Sequence, residues 1–190
     1  EDGRMETLQG KVALVTGAGQ GIGQGIALAL ADEGVNIAAV GRTLEKVEQT
    51  CVLLRERGVK AEAFALDVLK TEQIPGVVDD VVAKLGGVDI LNNAYSGNLG
   101  KLSEMSDRAF QKGFVAGPFA AFAFMKACYP HMVAAGAGEI VNVVTSAMVR
   151  WDPTDYGSYA AAKQAVRSLT RTGATEGAKD GIRANNIAPQ

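Results

Sequence analysis

Thr16-Gly17-Ala18-Gly19-Gln20-Gly21-Ile22-Gly23 directly follows an apolar run over residues 12–15. The glycines of this stretch fit the pattern G-x-x-x-G-x-G at positions 17, 21 and 23, whereas G-x-G-x-x-G does not fit it. Glycines let a chain turn sharply and approach a phosphate closely, and the free N–H groups that begin a following helix favour an anion. The stretch therefore predicts a strand, a phosphate-binding loop and a helix; a glycine-rich turn without a ligand is the alternative.

The same alternation of apolar runs and helical patterns continues along the chain. We predict strands over residues 12–15, 36–40, 61–66, 88–91, 140–144 and 182–188. Apolar residues at helical spacing predict the helices between them, with faces Ile22/Ile26/Leu30, Leu44/Val47/Cys51/Leu54, Val77/Val78/Val81/Val82/Leu85 and Phe110/Phe119/Phe122/Met125, and a last helix over 158–178. Ser106 is expected to cap the long fourth helix, and Pro118 to kink or divide it. This alternation is typical of a doubly wound parallel sheet, a Rossmann fold of three α/β/α layers, whose ligands bind at the carboxyl ends of the strands.

Composition narrows the class of protein. The 190 residues are 47% hydrophobic with a net charge of -2, which predicts one domain over residues 1–190 with an N-terminal tail over 1–8. Without a basic excess, we expect no binding to nucleic acid or to an anionic membrane. Two distant cysteines and a single histidine argue against a disulfide scaffold and against a metal site. The N-terminal residues lack an apolar signal segment, so a cytoplasmic location is expected.

Tyr159 and Lys163 stand one helical turn apart in the stretch Tyr159-Ala160-Ala161-Ala162-Lys163, so a helix would present both side chains on one face. A free tyrosine, with a pKa of about 10, is a poor acid or base at neutral pH. A nearby ammonium lowers the tyrosine pKa, and the pair can then exchange a proton with an alcohol or a carbonyl. Alone, this spacing is also typical of a surface helix; together with the glycine loop it indicates an acid–base site.

With these motifs the chain resembles the classical short-chain dehydrogenase/reductase family from about residue 9 to residue 189. Further pieces follow in the family's order: Asp67-Val68 after the third strand, Asn92-Asn93-Ala94, Ser146 upstream of Tyr159, and Arg183-Ala184-Asn185-Asn186-Ile187-Ala188-Pro189. The resemblance implies an oxidoreductase that transfers a hydride between NAD(P) and a secondary alcohol or carbonyl. It also implies a homo-oligomer, a tetramer or dimer, formed through the long helix and the Tyr159 helix.

The resemblance implies three catalytic residues. Tyr159 is the expected general acid in reduction and the general base in oxidation, and Lys163 is expected to lower its pKa and to hold the nicotinamide ribose. Ser146 is expected to donate a hydrogen bond to the substrate oxygen. Thr145 is the alternative to Ser146, because counting from Asn142 favours it by one position.

The expected cofactor is NADP(H), with NAD(H) as the alternative. Gly41 stands where NAD-selective sites carry an acidic residue, and Arg42 can bind a 2′-phosphate or else lie exposed at the start of the next helix. Asp67 is expected to contact the adenine or merely to cap its strand. The full set of expected cofactor-binding residues is Gly17, Gly19, Gln20, Gly21, Ile22, Gly23, Arg42, Asp67, Val68, Asn93, Ala94, Tyr159, Lys163 and Pro189.

The sequence departs from the family pattern at several places. Tyr95 replaces the glycine of Asn-Asn-Ala-Gly, and Leu91-Asn92 lacks one strand residue, which would reverse the facing of side chains. Phe114, counted back from Gly117, replaces the asparagine of the family's proton relay. The chain stops at Gln190 after the predicted sixth strand, so the substrate-covering segment and last strand of the family are expected to be missing.

Three classes of function therefore remain open. The leading interpretation is the NAD(P)-dependent oxidoreductase, and its alternative is a dinucleotide-binding scaffold or sensor with little or no turnover. The third is a different nucleotide-binding or methyl-donor enzyme on a doubly wound fold, which has no use for a tyrosine–lysine pair. The sequence does not identify the substrate.

Overall fold

The computed structural model describes residues 8–95, 97, 99–149 and 155–189. Its strands are β1 (Val12–Thr16), β2 (Asn36–Gly41), β3 (Ala61–Ala65), β4 (Ile90–Asn93), β5 (Gly138–Val143) and β6 (Ile182–Ile187). They form one six-stranded parallel sheet in the order β3-β2-β1-β4-β5-β6. The winding changes direction between β1 and β4, which is where a doubly wound sheet opens a crevice at the carboxyl ends of its strands.

Helices cover both faces of the sheet. They are α1 (Gly21–Asp32), α2 (Leu44–Arg55), α3 (Ile74–Leu85), α4 (Asp107–Phe114), α5 (Ala120–Ala135) and α6 (Gly157–Gly177). Alternate strand residues point to opposite faces, so Ala13 and Val15 share a core with α1 and α2, whereas Leu14 shares one with α3 and α5. The predicted three-layer Rossmann fold is confirmed. Among the helices of the described ranges, none is long and apolar enough to cross a membrane.

Strand β4 is regular despite its departure from the family pattern. Ile90, Leu91 and Asn92 pair with consecutive residues of both β1 and β5, and Asn93 continues the ladder with β5. Ile90 and Leu91 lie in the two opposite cores, as alternation requires. The strand runs over 90–93 rather than the predicted 88–91. Val88 is buried but precedes the strand, so its apolar character did not mark the strand's beginning.

The predicted apolar face of α1 is confirmed only in part: Ile26 and Leu30 are partly buried against the core, whereas Ile22 is not. Ile22 is 55% exposed, and the buried residues of the helix are Gly23, Ala27 and Ala31. A side chain on Gly23 would collide with the carbonyl of Gly17, so small residues are needed where the helix lies against the glycine loop. Periodicity alone selected the larger apolar residues, although close helix–strand packing selects the smaller ones.

The long helix divides as predicted. Ser106 caps α4 by accepting the Ala109 N–H at 3.2 Å. A π-helical segment, Val115–Phe119, then separates α4 from α5, and Gly117 within it has the non-helical angles φ −91° and ψ −106°. Pro118 lacks the N–H that would continue the helical ladder, which accounts for the interruption at this point.

Candidate active site

A cavity of about 710 Å³ opens at the carboxyl ends of the strands, where the winding changes direction. Most of the expected cofactor-binding residues line it: Gly17, Gly19, Gln20, Gly21, Ile22, Gly23, Arg42, Asp67, Val68, Ala94, Tyr159 and Pro189. The residues that line the cavity do not include Asn93, Lys163 or Ser146. The phosphate loop, the β2 end and the tyrosine helix, remote in sequence, therefore form one cavity.

The glycine loop fits closely beneath this cavity. Gly17 and Gly21 have φ angles of +66° and +59°, which residues other than glycine rarely adopt. A side chain at Gly17 would also collide with the carbonyl of Ala94, whose N–H donates to Thr16 Oγ1 at 3.0 Å. The Gln20 side chain makes no capping hydrogen bond to α1. The loop thus presents bare backbone and an uncapped helix start to the cavity, which suits a pyrophosphate.

Tyr159 lies in the wall of the cavity and is partly buried. Gly97 packs on its ring, where a side chain would collide. Burial raises the pKa of the Tyr159 hydroxyl, and a hydrogen bond with Thr145 offsets part of that rise. Thr145 also lines the cavity and accepts the Ala147 N–H at 3.2 Å. Ser146 instead begins a short 3₁₀ turn and donates its backbone N–H to Pro189 O at 3.4 Å.

Lys163 is fully buried one helical turn from Tyr159. Its Nζ donates to Val143 O at 2.6 Å and to Tyr95 O at 3.2 Å, and it lies 3.8 Å from the centre of the Tyr95 ring. The Tyr159 ring centre is 5.6 Å away. Burial lowers the pKa of Lys163 to about 7.

The expected effect of Lys163 on Tyr159 is therefore wrong for this structure. The sequence argument has the Lys163 ammonium lowering the tyrosine pKa, whereas the pKa of Tyr159 is raised because burial is its largest influence. Lys163 is itself buried, which disfavours its charge. Spacing showed that the two side chains share a helix face but gave no measure of their burial.

Asn93 supports the sheet beneath the cavity. Its Nδ2 donates to Asn142 Oδ1 at 2.8 Å, and Asn142 Nδ2 donates in turn to Thr170 Oγ1 at 2.8 Å. The Thr170 hydroxyl also lies 2.8 Å from Asn186 Oδ1. These buried groups join β4, β5, β6 and α6, so Asn93 acts on the cavity through the strands that it ties together.

Asp67 is predicted either to contact the adenine or to cap its strand, and in the structure it caps the turn and lines the cavity. Its Oδ1 accepts the Leu69 N–H at 3.1 Å, which caps the turn after β3, and the residue also lines the cavity beside Val68.

The β2 end of the cavity is basic. Arg42 lies there and makes no hydrogen bond or ion pair with other described residues. Lys46, which the sequence analysis missed, lines the same end and donates from Nζ to Gln20 Oε1 at 2.8 Å. Lys46 lies in the first turn of α2, and its contact with Gln20 could not be read from the sequence. A Cβ on Gly41 would lie 2.7 Å from Val47 Cγ2, so an acidic residue has little room here.

Tyr95 and Lys112 also line the cavity. Tyr95 was noticed only as a departure from the family motif, and Lys112, on α4, carried no signal in the sequence. The Tyr95 hydroxyl is buried, has no hydrogen-bond partner among the described residues and rests against Gly117, where a side chain would displace it.

Comparison with known proteins agrees with this architecture. The sequence model of the family described as short chain dehydrogenase matches residues 11–190. A 12alpha-hydroxysteroid dehydrogenase from a Clostridium species is 36% identical over 194 residues, covering 97% of this chain and 74% of that protein. The structure of NAD+-bound xylitol dehydrogenase superposes with a TM-score of 0.91 at 35% identity, covering 97% of this chain and 71% of that one. L-Sorbose reductase from Gluconobacter frateurii, complexed with NADPH and L-sorbose, gives a TM-score of 0.91 at 34% identity, covering 95% and 69%.

A six-stranded doubly wound sheet with a glycine loop at its central crevice defines a Rossmann-fold protein. Within that class, the chain belongs to the short-chain dehydrogenase/reductase family of oxidoreductases. The resemblance carried by the sequence motifs is confirmed.

Proposed function

We propose that the protein is an NAD(P)-dependent oxidoreductase that interconverts a secondary alcohol and a carbonyl, with Tyr159 as the general acid and base. The observation that carries this proposal is that Tyr159 lines the same cavity as the glycine loop and has its hydroxyl hydrogen-bonded to Thr145. A proton-transfer group is thereby placed in the same cavity as a cradle suited to a dinucleotide. The class of substrate beyond this is open.

The residues of the cavity fit a nicotinamide dinucleotide. A Cβ at Gly17 or Gly23 would collide with neighbouring main-chain carbonyls, so the tight loop that lines the cavity requires glycine at both positions. Asp67 and Val68 would contact the adenine, and Ala94 the neighbouring ribose. When bound, the cofactor supplies or accepts the hydride.

The chain's own groups handle the proton. Tyr159 donates its hydroxyl proton to the carbonyl oxygen in reduction and takes it back in oxidation. Of the two candidate hydroxyls for holding the substrate oxygen, Thr145 is favoured over Ser146, because Thr145 lines the cavity and contacts Tyr159. Alanine replacements distinguish them: a loss of turnover in Ser146→Ala alone would contradict the choice of Thr145.

We infer a preference for NADP(H). Arg42 is available for a phosphate at the β2 end, and Gly41 offers neither a hydrogen bond to ribose hydroxyls nor a charge that repels a 2′-phosphate. The neighbouring Lys46 adds positive charge. NAD(H) remains the alternative cofactor.

A scaffold or sensor with little turnover is the second candidate. It is favoured by Lys163, whose Nζ contacts two carbonyl oxygens and an aromatic ring and which does not line the cavity. To decide, NADPH binding is titrated by its fluorescence and turnover is measured against a panel of ketones, aldehydes and secondary alcohols. Turnover of at least one class is expected; tight NADPH binding without turnover across the panel would favour the scaffold.

A further inference from the structure

We propose that Tyr95 is a positioning residue that holds the Lys163 ammonium through its ring face and its main-chain oxygen. The proposal rests on the proposed function, in which Lys163 works beside Tyr159. It concerns a residue that stands outside the family motif and for which the reaction itself supplies no role.

The contacts around Nζ carry the argument. Lys163 Nζ lies 3.8 Å from the Tyr95 ring centre, well within the distance at which a cation is attracted to the negative face of an aromatic ring. The Tyr159 ring centre is farther away, at 5.6 Å. The Tyr95 carbonyl accepts a hydrogen bond from the same Nζ at 3.2 Å, so one residue supplies two contacts to the ammonium.

The local packing is built around the Tyr95 ring. Gly117 leaves room for the Tyr95 hydroxyl, and within the described part of the chain that hydroxyl has no hydrogen-bond partner. Because the hydroxyl is unpaired while the ring covers Lys163, the ring is the part of Tyr95 that acts.

A buried ammonium such as that of Lys163 needs nearby groups that favour its charged form. Lys163 is fully buried, and burial is the cause that lowers its pKa; no carboxylate of the described residues contributes. Among the described residues, the titratable side chains whose rings lie near Nζ are Tyr95 and Tyr159, both with raised pKa values and so neutral near pH 7. The ring face and the two carbonyl oxygens are therefore what favours the charged form of Lys163.

The test replaces Tyr95 with phenylalanine and then with 4-fluoro-, 3,5-difluoro- and 3,4,5-trifluorophenylalanine. Each added fluorine weakens the negative electrostatic potential of the ring face with little change of shape, so folding is expected to be preserved across the series. The pH dependence of thermal unfolding is measured for each variant against the same variant carrying Lys163→Met, which isolates the titration of Lys163. The same series at Tyr156, whose ring contacts Tyr159, serves as the control.

Tyr95→Phe is expected to behave as the wild type, because the hydroxyl makes no hydrogen bond. Progressive fluorination is expected to move the Lys163 transition to lower pH, by about 0.4 to 1.5 pH units over the series, while the Tyr156 series leaves it in place. One transition pH for all Tyr95 variants, or equal shifts in both series, would overturn the proposal. Since unfolding needs no cofactor, this outcome is separate from any failure of the proposed function, which the turnover panel detects.

Discussion

Lys163 combines full burial with a charge that the proposed chemistry uses. Its pKa in the folded protein is about 7, against an ordinary value of 10.5, because burial disfavours the ammonium. Between these two values the unfolded chain binds more protons than the folded one, so stability rises with pH across this window. The penalty of burying the charge is fully present below about pH 7.

We therefore expect the thermal stability of the wild type to increase between pH 7 and pH 10 relative to Lys163→Met. Methionine has a similar stem without a charge and removes this titration. The measurement is the difference in Tm between the two proteins at each pH, which cancels the titration of all other groups. Parallel curves for the two proteins would show that Lys163 titrates near its ordinary pKa.

Arg42 is the residue that most directly sets the cofactor preference. We expect Arg42→Ala to weaken NADPH binding by roughly ten- to a hundredfold, the worth of a charge-assisted hydrogen bond, and to leave NADH binding nearly unchanged. Both dissociation constants are measured by fluorescence titration. Arg57→Ala is the control, because Arg57 pairs with Asp32 away from the cavity. A wild type that binds NADH more tightly, or equal losses for both cofactors, would contradict the assignment. Arg42 is replaced alone because an aspartate at Gly41 would displace Val47.

The positions of single residues were predictable where they follow directly from the secondary structure. Arg42 and Asp67 lie in the cavity because each follows a strand end, and strand ends can be located from apolar runs. Lys46 and Tyr95 required the fold, since their importance comes from contacts with Gln20 and Lys163, remote in sequence. The raised pKa of Tyr159 required burial, which no local spacing encodes.

At the scale of elements, the glycine loop connects β1 to α1 and lines the cavity of the proposed cofactor. The turn of this loop was predictable because glycines are the residues that readily adopt positive φ angles. Gly17 and Gly21 have such angles in the structure. The fully buried residues of α1 were not predictable, because small residues such as Ala27 contribute little to an apolar pattern. The bounds of β4 shifted for a similar reason: Asn92 and Asn93 are buried in the sheet but polar in the sequence.

A substitution in this loop distinguishes conformational need from general helix effects. Gly17→Ala is expected to lower the free energy of unfolding by about 1–3 kcal/mol and to weaken NADPH binding, since a Cβ collides with the Ala94 carbonyl at a φ of +66°. Gly25→Ala, inside helix α1 and with nothing within 4 Å of the new Cβ, is the control and is expected to gain about 0.5–1 kcal/mol. The measurement is urea unfolding with a parallel NADPH titration. Equal stability changes in the two variants would contradict the role given to the loop.

For the whole molecule, we propose self-association through the long helix and α6. Phe119 and Phe122 are 60% and 51% exposed, an apolar surface that a monomer would leave in water. A dimer or tetramer is expected by light scattering, and Phe119→Asp with Phe122→Asp is expected to shift it toward the monomer. Val52→Asp on α2, 52% exposed, is the control that leaves assembly intact. A monomeric wild type at high concentration would contradict the proposal.

The global fold was the most predictable level, because alternating strands and helices with short connections admit few topologies. Each predicted strand is present, and the crevice lies where the glycine loop placed it. The catalytic geometry was less predictable. Thr145 and Ser146 are neighbours in sequence, and only the turn that begins at Ser146 directs Thr145 toward Tyr159.

The most direct test of the central claim compares kcat and the NADPH dissociation constant in the wild type, Tyr159→Phe and Tyr156→Phe. Loss of the proton-transfer group is expected to lower kcat by about 10²–10⁴-fold in Tyr159→Phe while NADPH binding stays unchanged. Tyr156→Phe, whose ring lies 6.0 Å from that of Tyr159, is expected to keep kcat within a small factor of the wild type. Equal kcat values for the wild type and Tyr159→Phe would contradict the role of Tyr159 as the general acid and base.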